Sequence, residues 1–209
     1  MAKLVDIFYA WCIKKRELII RAFYFLYALL FFILVYGGKS VYYLDAKYSF
    51  FYSLALILGK IAVINFSVVL IPGIFKRFRL RHKTVSLLMI FRRYIGISMF
   101  LFALIHASFI RLIPVISRME FVFLRPAFEL AGLSALFLLF LLFTTSNDLS
   151  QRILKIWWYR LHKLIYLIMW LILFHLGLQR ISIWTLISAI TVFVMIASFI
   201  YQYLSRIRR

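Results

Sequence analysis

The chain has 209 residues, of which 66% are hydrophobic, 20% aromatic and 15% charged. A soluble domain averages about 45–50% apolar and about 25% charged residues, so a water-soluble enzyme is excluded; 7 Gly and 3 Pro are too few for a disordered or collagen-like chain. Lys and Arg number 26 against 6 Asp and Glu, a net charge of +20, which on an integral membrane protein marks cytoplasmic loops rather than a nucleic-acid partner.

A hydrocarbon core about 30 Å thick takes roughly 20 helical residues. Apolar stretches near 18–36, 50–74, 94–114, 127–146, 156–178 and 182–204 predict one domain over residues 1–209, an all-α integral membrane protein folded as a six-transmembrane-helix bundle. Arg160, His162 and Lys163 interrupt the first turns of the fifth span, where Trp157, Trp158 and Tyr159 read as an interfacial aromatic belt. The outer links are expected to be short, about a dozen residues in each of the first two and a few in the third.

The basic residues divide unevenly between the two sides. One side collects Lys3, Lys14, Lys15, Arg16 and Arg21, then Lys76, Arg77, Arg79, Arg81, Lys83, Arg92 and Arg93, then Arg152, Lys155, Arg160 and Lys163, and the tail Arg206, Arg208 and Arg209. The other has only Lys39, Lys47, Arg111, Arg118, Arg125 and Arg180. This bias predicts that both termini are cytoplasmic. No small-residue cleavage pattern follows Lys14-Lys15-Arg16, so a cleaved signal peptide is not expected. Cys12 is the single cysteine, and no Cys-x-x-Cys-His run exists, so any heme is expected to be held without covalent bonds.

Ionisable groups at membrane depth are costly and mark sites or pathways. His106 lies about eight residues before the outer end of the third span and His175 about four before that of the fifth, so both belong to the outer leaflet. Two neutral imidazoles at similar depth suit the two axial positions of one heme iron; the alternative is a pair of hydrogen-bonded packing histidines. His162 precedes His175 by 13 residues, roughly 20 Å along a helix and about 140° around it. It therefore belongs to the inner leaflet and a different face. With Arg93 at the corresponding depth on the third span, and arginine unable to ligate iron, a second heme with two histidine ligands is not supported. An inner site built on His162 would suit a five-coordinate heme, a quinone or a flavin; the alternative is an interfacial histidine.

Arg92 stands 14 residues before His106, which leaves only about 40° between them on an ideal helix. That places it to aim a guanidinium at an anionic propionate or phosphate below the outer site, unless it is a positive-inside anchor. Lys60, after Gly59 and deep in the second span, needs a carboxylate, a cofactor anion or a water-filled cavity. His82, between Arg81 and Lys83, reads as a solvated loop residue without a special role.

Three blocks then make the chain recognisable: Arg92-Arg93-x-x-Gly96 followed by His106; Thr145-Ser146; and Trp158-x-x-Leu161-His162-x-x-x-Tyr166 with His175 thirteen past His162. Together they resemble the ferric reductase-like transmembrane domain family, and within it the MsrQ-type heme-binding membrane subunits of protein-methionine-sulfoxide reductase systems. The resemblance implies a subunit of the bacterial inner membrane carrying b-type heme, at least one, and flavin (FMN). It implies electrons taken from the quinol pool or a cytoplasmic flavin reductase and passed to a periplasmic molybdopterin-containing reductase that repairs methionine sulfoxide. The subunit itself would not be the sulfoxide-reducing catalyst.

Carried over, His106 and His175 become axial ligands of the outer heme iron, His162 the inner ligand, and Arg92 and Arg93 the donor or flavin site. The chain departs from ferric reductases and NADPH oxidases in having Arg93 where a fourth histidine would stand; the N-terminal 80 residues match only in outline, with Gly59-Lys60 as the counterpart of a Gly-Arg pair. The resemblance also supplies no NADPH dehydrogenase domain within these residues, so electrons are expected from another molecule. The rival readings are a quinol-oxidising cytochrome b or metal-ion reductase subunit, and, from another class, a non-heme transporter or assembly factor. An intramembrane hydrolase lacks support because no Ser–His, paired-carboxylate or His-Glu-x-x-His arrangement lies at membrane depth.

Overall fold

The computed structural model describes residues 2–80, 82–118 and 126–207. Arg81, Arg125, Arg208 and Arg209, which entered the charge comparison, lie outside the described residues. In chain order the elements are α1 (Ala2–Lys14), α2 (Arg16–Tyr43), α3 (Tyr48–Arg77), α4 (Lys83–Ala107), a π turn (Ser108–Leu112), α5 (Ile113–Arg118), α6 (Ala127–Thr144), α7 (Asp148–Leu154), α8 (Ile156–Leu161), a 3-10 turn (His162–Leu164), α9 (Ile165–Gln179) and α10 (Ile183–Ile207). Only helices fit a bilayer without a closed barrel, since every backbone polar group must be satisfied within its own segment.

Six segments are long and apolar enough to cross a membrane: Arg16–Tyr43, Tyr48–Arg77, Lys83–Ser117, Ala127–Thr144, Ile156–Gln179 and Ile183–Ile207. They correspond one to one with the six predicted spans, so the protein is an all-helical multi-pass membrane protein. The end of the bundle with the Leu44–Lys47 link is called upper here, and the end where α3 passes into α4 lower.

The packing explains where the helices run longer than their apolar stretches. The second helix continues past residue 36 to Tyr43, leaving a four-residue link instead of the dozen expected. Gly37, Gly38, Ser40 and Val41 are buried, and small residues allow close helix approach. A Cβ on Gly37 would stand 2.7 Å from Phe109 Cζ, so the fully buried Phe109 ring holds this turn of α2 to the bundle. The link is closed by Asp45, whose carboxylate accepts from Ser40 Oγ and, at 2.8 Å, from the Lys47 N–H.

Pairs α3–α4 and α6–α9 form the centre, with α10 against α3 and α9 and α2 against α4. One apolar cluster joins Phe66, Leu70, Met99, Phe100, Leu139 and Ile168 across α3, α4, α6 and α9; a second joins Leu30, Val41, Ala55, Ile105 and Phe109 nearer the upper end. Ser67 Oγ and Thr191 Oγ1 share a hydrogen bond of 2.9 Å between α3 and α10, a polar tie of the kind that joins helices in lipid.

Two lower-end features depart from expectation. The N-terminal segment forms its own helix, α1, whose buried Cys12 packs with Leu87 and Phe91 of α4. His82 is not idle: its Nδ1 accepts the Thr84 N–H at 3.3 Å as the N-cap of α4, satisfying one of the donors a helix start leaves unpaired.

Candidate functional site

His106 and His175 come together. Their ring centroids are 6.5 Å apart and their planes cross at 77°. Each ring is aimed by a carbonyl on a neighbouring helix: His106 Nδ1 lies 3.0 Å from the Ala55 oxygen on α3, and His175 Nδ1 lies 2.8 Å from the Phe128 oxygen on α6. A carbonyl can only accept, so each Nδ1 carries the proton and each Nε2 keeps its lone pair. A histidine that ligates a metal is oriented by this arrangement, its other ring nitrogen donating to a carbonyl or carboxylate.

Two glycines make the room. A Cβ on Gly59 would stand 2.6 Å from His106 Nδ1, and one on Gly132 would stand 2.6 Å from His175 Nδ1. Each imidazole thus lies flush on the facing helix, α3 or α6. The two rings line an upper cavity of about 750 Å³, within the range of about 300–1,000 Å³ usual for ligand sites. Metal–imidazole bonds of about 2.0–2.1 Å, with about 1.1 Å from nitrogen to ring centre, set two rings sharing one metal about 6.3 Å apart. The observed separation and the glycine seats therefore fit one metal centre between the two histidines. Among the described residues no three His, Cys, Asp or Glu side chains gather to hold a bare metal ion.

Immediately past His106 the helix passes into the π turn Ser108–Leu112, a feature frequent at functional sites. It carries Arg111, whose Nε is 3.0 Å from Glu129 Oε2 on α6, an ion pair without hydrogen-bond alignment. Lys60, Arg180 and Trp184 line the same cavity, with the Lys60 ammonium 5.9 Å from the Trp184 ring centre. Lys60, expected to need a carboxylate, a cofactor anion or a water-filled cavity, opens onto this cavity and makes no ion pair among the described residues. Sequence reasoning missed Arg111 and Glu129 as site residues, having counted Arg111 only as a loop charge; the chain offers no motif that would have paired them.

His162 belongs elsewhere. It opens the 3-10 turn between α8 and α9, which tightens the fifth span Ile156–Gln179 locally without interrupting it. Its ring stacks on Trp158 at 3.9 Å between centroids, its Nδ1 is 3.0 Å from the Trp158 carbonyl oxygen, and its buried Nε2 has no partner among the described residues. Trp158 is fixed in turn by donating Nε1–H to the Thr145 carbonyl at 2.8 Å. Two of the sequence blocks therefore meet, Thr145-Ser146 supporting the tryptophan that supports the histidine.

A lower cavity of about 600 Å³ is lined by His162, Trp158, Tyr166, Gly96 and the cations Lys76, Arg92, Arg93 and Lys163, with no carboxylate among its lining residues. Arg92 and Arg93 both face it. This corrects the expectation that Arg92 points at the outer site from below. The side-chain directions of Arg92 and His106 are similar, but 14 residues correspond to about 21 Å of rise, and they open onto different cavities. Arg93 also pairs with Asp148 at 2.7 Å, largely exposed. Met99 and Leu139, each 4% exposed, line both cavities and form the wall between them.

Below the lower cavity Arg77 is held rather than loose. Its Nε donates to Ser198 Oγ at 2.9 Å and its Nη1 to Tyr166 OH at 3.1 Å, and its guanidinium lies 4.1 Å from the Phe199 ring centre. Sequence reasoning had it as a loop cation.

No curated protein and no solved structure matches the chain. A family model for the ferric reductase like transmembrane component matches residues 58–173. The match takes in Gly59, His106 and His162 and ends two residues before His175. It covers more than half of the sequence and all but the last of the histidines that face the two cavities, so the chain belongs to the ferric reductase-like transmembrane component family.

Proposed function

We propose that the chain is a b-type heme electron-transfer subunit, with His106 and His175 as the two axial ligands of a heme in the upper cavity. The observation that carries this reading is the pair of imidazoles 6.5 Å apart, both with Nδ1 on a carbonyl. Two ligands alone cannot satisfy a metal ion, whereas a macrocycle brings the equatorial set. When bound, the heme supplies the one-electron couple. His106 and His175 would hold the group through Nε2, the carbonyls of Ala55 and Phe128 fix the tautomer of each ring, and apolar side chains such as Met99, Leu136 and Leu139 line the site.

The lower cavity is the electron entry. Arg92, Arg93, Lys76 and Lys163 suit the phosphate of FMN, Trp158 and Tyr166 suit a planar ring, and the orphan Nε2 of His162 suits a ligand atom, a quinol hydroxyl or an iron. The lower face is read as cytoplasmic from the Lys and Arg bias, with both termini there and the upper cavity toward the periplasm of a bacterial inner membrane. On the sequence blocks described above, the acceptor is a periplasmic molybdopterin-containing methionine-sulfoxide reductase, and the donor is the quinol pool or a cytoplasmic flavin reductase.

The test is a reduced-minus-oxidised absorption spectrum of the detergent-purified chain with pyridine quantification of heme. A low-spin b-type band is expected, lost in both His106→Ala and His175→Ala. A colourless folded protein from heme-sufficient cells, or full heme retention in a folded His175→Ala protein, overturns the assignment. Dependence of methionine-sulfoxide repair on a co-expressed molybdopterin reductase tests the acceptor separately.

A further inference from the structure

We infer that α1 is an interfacial helix that binds anionic phospholipid of the lower leaflet, with its exposed apolar face among the acyl chains and Lys14, Lys15 and Arg16 on the headgroup phosphates. None of these residues lines either cavity, so the surface is separate from both. Leu4, Ile7, Phe8 and Trp11 recur at i, i+3, i+4 and i+7, a spacing that gathers four side chains within about 100° on one helix face. They are 73%, 68%, 57% and 50% exposed, and the Phe8 and Trp11 rings stack on each other. The opposite face is already covered. Cys12 is buried and, with Tyr9, packs on Leu87 and Phe91 of α4, while Asp6 pairs with Lys83 at the start of α4 at 2.7 Å.

The chain leaves the open face little choice of medium. The 13 residues of α1 make about 20 Å of helix, too short to cross a hydrocarbon core of about 30 Å. Lys15 alone separates α1 from the span α2, and there the backbone leaves helical geometry, with φ −99° and ψ 17°, so the chain bends where the span starts. Large apolar side chains at that height meet acyl chains, and a tryptophan among them suits the membrane–water boundary. The charges beside them are nearly all of one sign. Lys14, Lys15, Arg16 and Arg21 are exposed and make no ion pair among the described residues, with Glu17 the one carboxylate in the run. Anionic headgroups attract such juxtamembrane clusters, each Lys or Arg near the surface strengthening binding about fivefold. The same combination recurs at the lower end on a separate segment, where the exposed Leu149, Ile153 and Trp157 stand beside the exposed Arg152, Lys155 and Arg160. A soluble acidic partner would answer the cations and leave both apolar faces in water; an anionic leaflet answers the two together.

The experiment uses the full chain with two readouts. Native mass spectrometry of the detergent-purified protein compares uptake of phosphatidylglycerol with that of phosphatidylcholine. A preference of at least about tenfold for the anionic lipid is expected, on the scale of about fivefold per cation. Lys14→Gln and Lys15→Gln are each expected to lower it about fivefold, Lys14→Arg to keep it, and Lys39→Gln at the upper end of α2 to leave it unchanged. Excess inorganic phosphate is expected not to displace the lipid. The second readout is a nitroxide on Ile7→Cys in a Cys12→Ala background, in nanodiscs of phosphatidylcholine with or without phosphatidylglycerol. Its collisions with oxygen are expected to outweigh those with a water-soluble nickel chelate, and more so when phosphatidylglycerol is present.

Equal uptake of the two phospholipids, a preference that Lys14→Gln and Lys15→Gln leave unchanged, or displacement by inorganic phosphate overturns the headgroup site. A nitroxide at position 7 that collides mainly with the nickel chelate in both nanodiscs overturns the insertion and gives the apolar face to a soluble protein instead. If the Cys12→Ala background does not fold, the charge variants decide the matter, since Lys14 and Lys15 have no ion pair to lose.

Discussion

Gly59 of α3 supports the His106 imidazole so closely that a methyl group there would stand 2.6 Å from Nδ1, and Gly132 of α6 does the same for His175. Neither glycine has a left-handed backbone, so closeness, not conformation, requires them. Gly59→Ala and Gly132→Ala are each expected to push the ring off its carbonyl, cost about 1–3 kcal/mol by overpacking and remove more than about half of the bound heme. Gly96→Ala, whose Cβ meets nothing within 4 Å, is the matched control and is expected to retain it. Heme per chain and thermal unfolding in detergent check both statements.

His162→Ala is expected to leave the upper centre intact. Met99 and Leu139 stand between the two cavities, and the carbonyls that orient His106 and His175 belong to Ala55 and Phe128. Spectroscopy should therefore show the axial signature of the upper heme unchanged, with the loss confined to flavin, quinol oxidation or a second heme signal. Loss of the upper heme alone would contradict the separation.

Arg77 ties α3 to α9 and α10 through Tyr166 and Ser198. Arg77→Lys keeps the charge but loses the planar fork and most of the stacking on Phe199. It is expected to cost about 1.5–3 kcal/mol, the range for hydrogen bonds to charged groups, read as a lower unfolding temperature. Tyr166→Phe should cost less, since it removes one donor's partner and keeps the ring.

At the upper link, the Ser40 hydroxyl and then the Lys47 N–H hold the Asp45 carboxyl below its ordinary value of 3.8. A depressed folded value stabilises the link above the unfolded pKa, and that contribution fades as pH falls through the folded one. Asp45→Asn is therefore expected to lower stability slightly at neutral pH and to flatten the acid limb of a stability–pH profile, the two proteins converging once the pH falls below the folded value of the carboxyl. Tyr36, next to the Lys47 ammonium, holds that lysine above its usual range, so no loss from Lys47 is expected as pH rises to 9.

The fold was legible because lipid imposes it. A run such as Phe137–Thr144 has no option but a helix in a bilayer, and composition alone is enough to find it. The pairing of His106 with His175 was legible as depth, because helical rise converts sequence position to height. The seats were not. Gly59 and Gly132 each lie more than 40 residues from the ring they support, and nothing local marks a glycine as facing a histidine on another helix. The extra turns of α2 were also hidden, since Gly37-Gly38-Lys39-Ser40 reads as a link until Phe109 packs on it. Arg92 was misplaced for a simpler reason: its angle was right, but its height put it on the other side of Met99.

The wall made by Met99 and Leu139 has a consequence for the cell's energetics. A thioether and an isobutyl group offer no site for a proton or an ion, and both are almost entirely buried. An electron tunnelling through them would leave the lower cavity without a cation following by the same route. Each transfer would then work as the charging of a capacitor, and across a polarised membrane the field would do about 2.3 kcal/mol of work per charge for every 100 mV spanned. With the interior negative and the lower face inside, that work would be done in favour of outward flow.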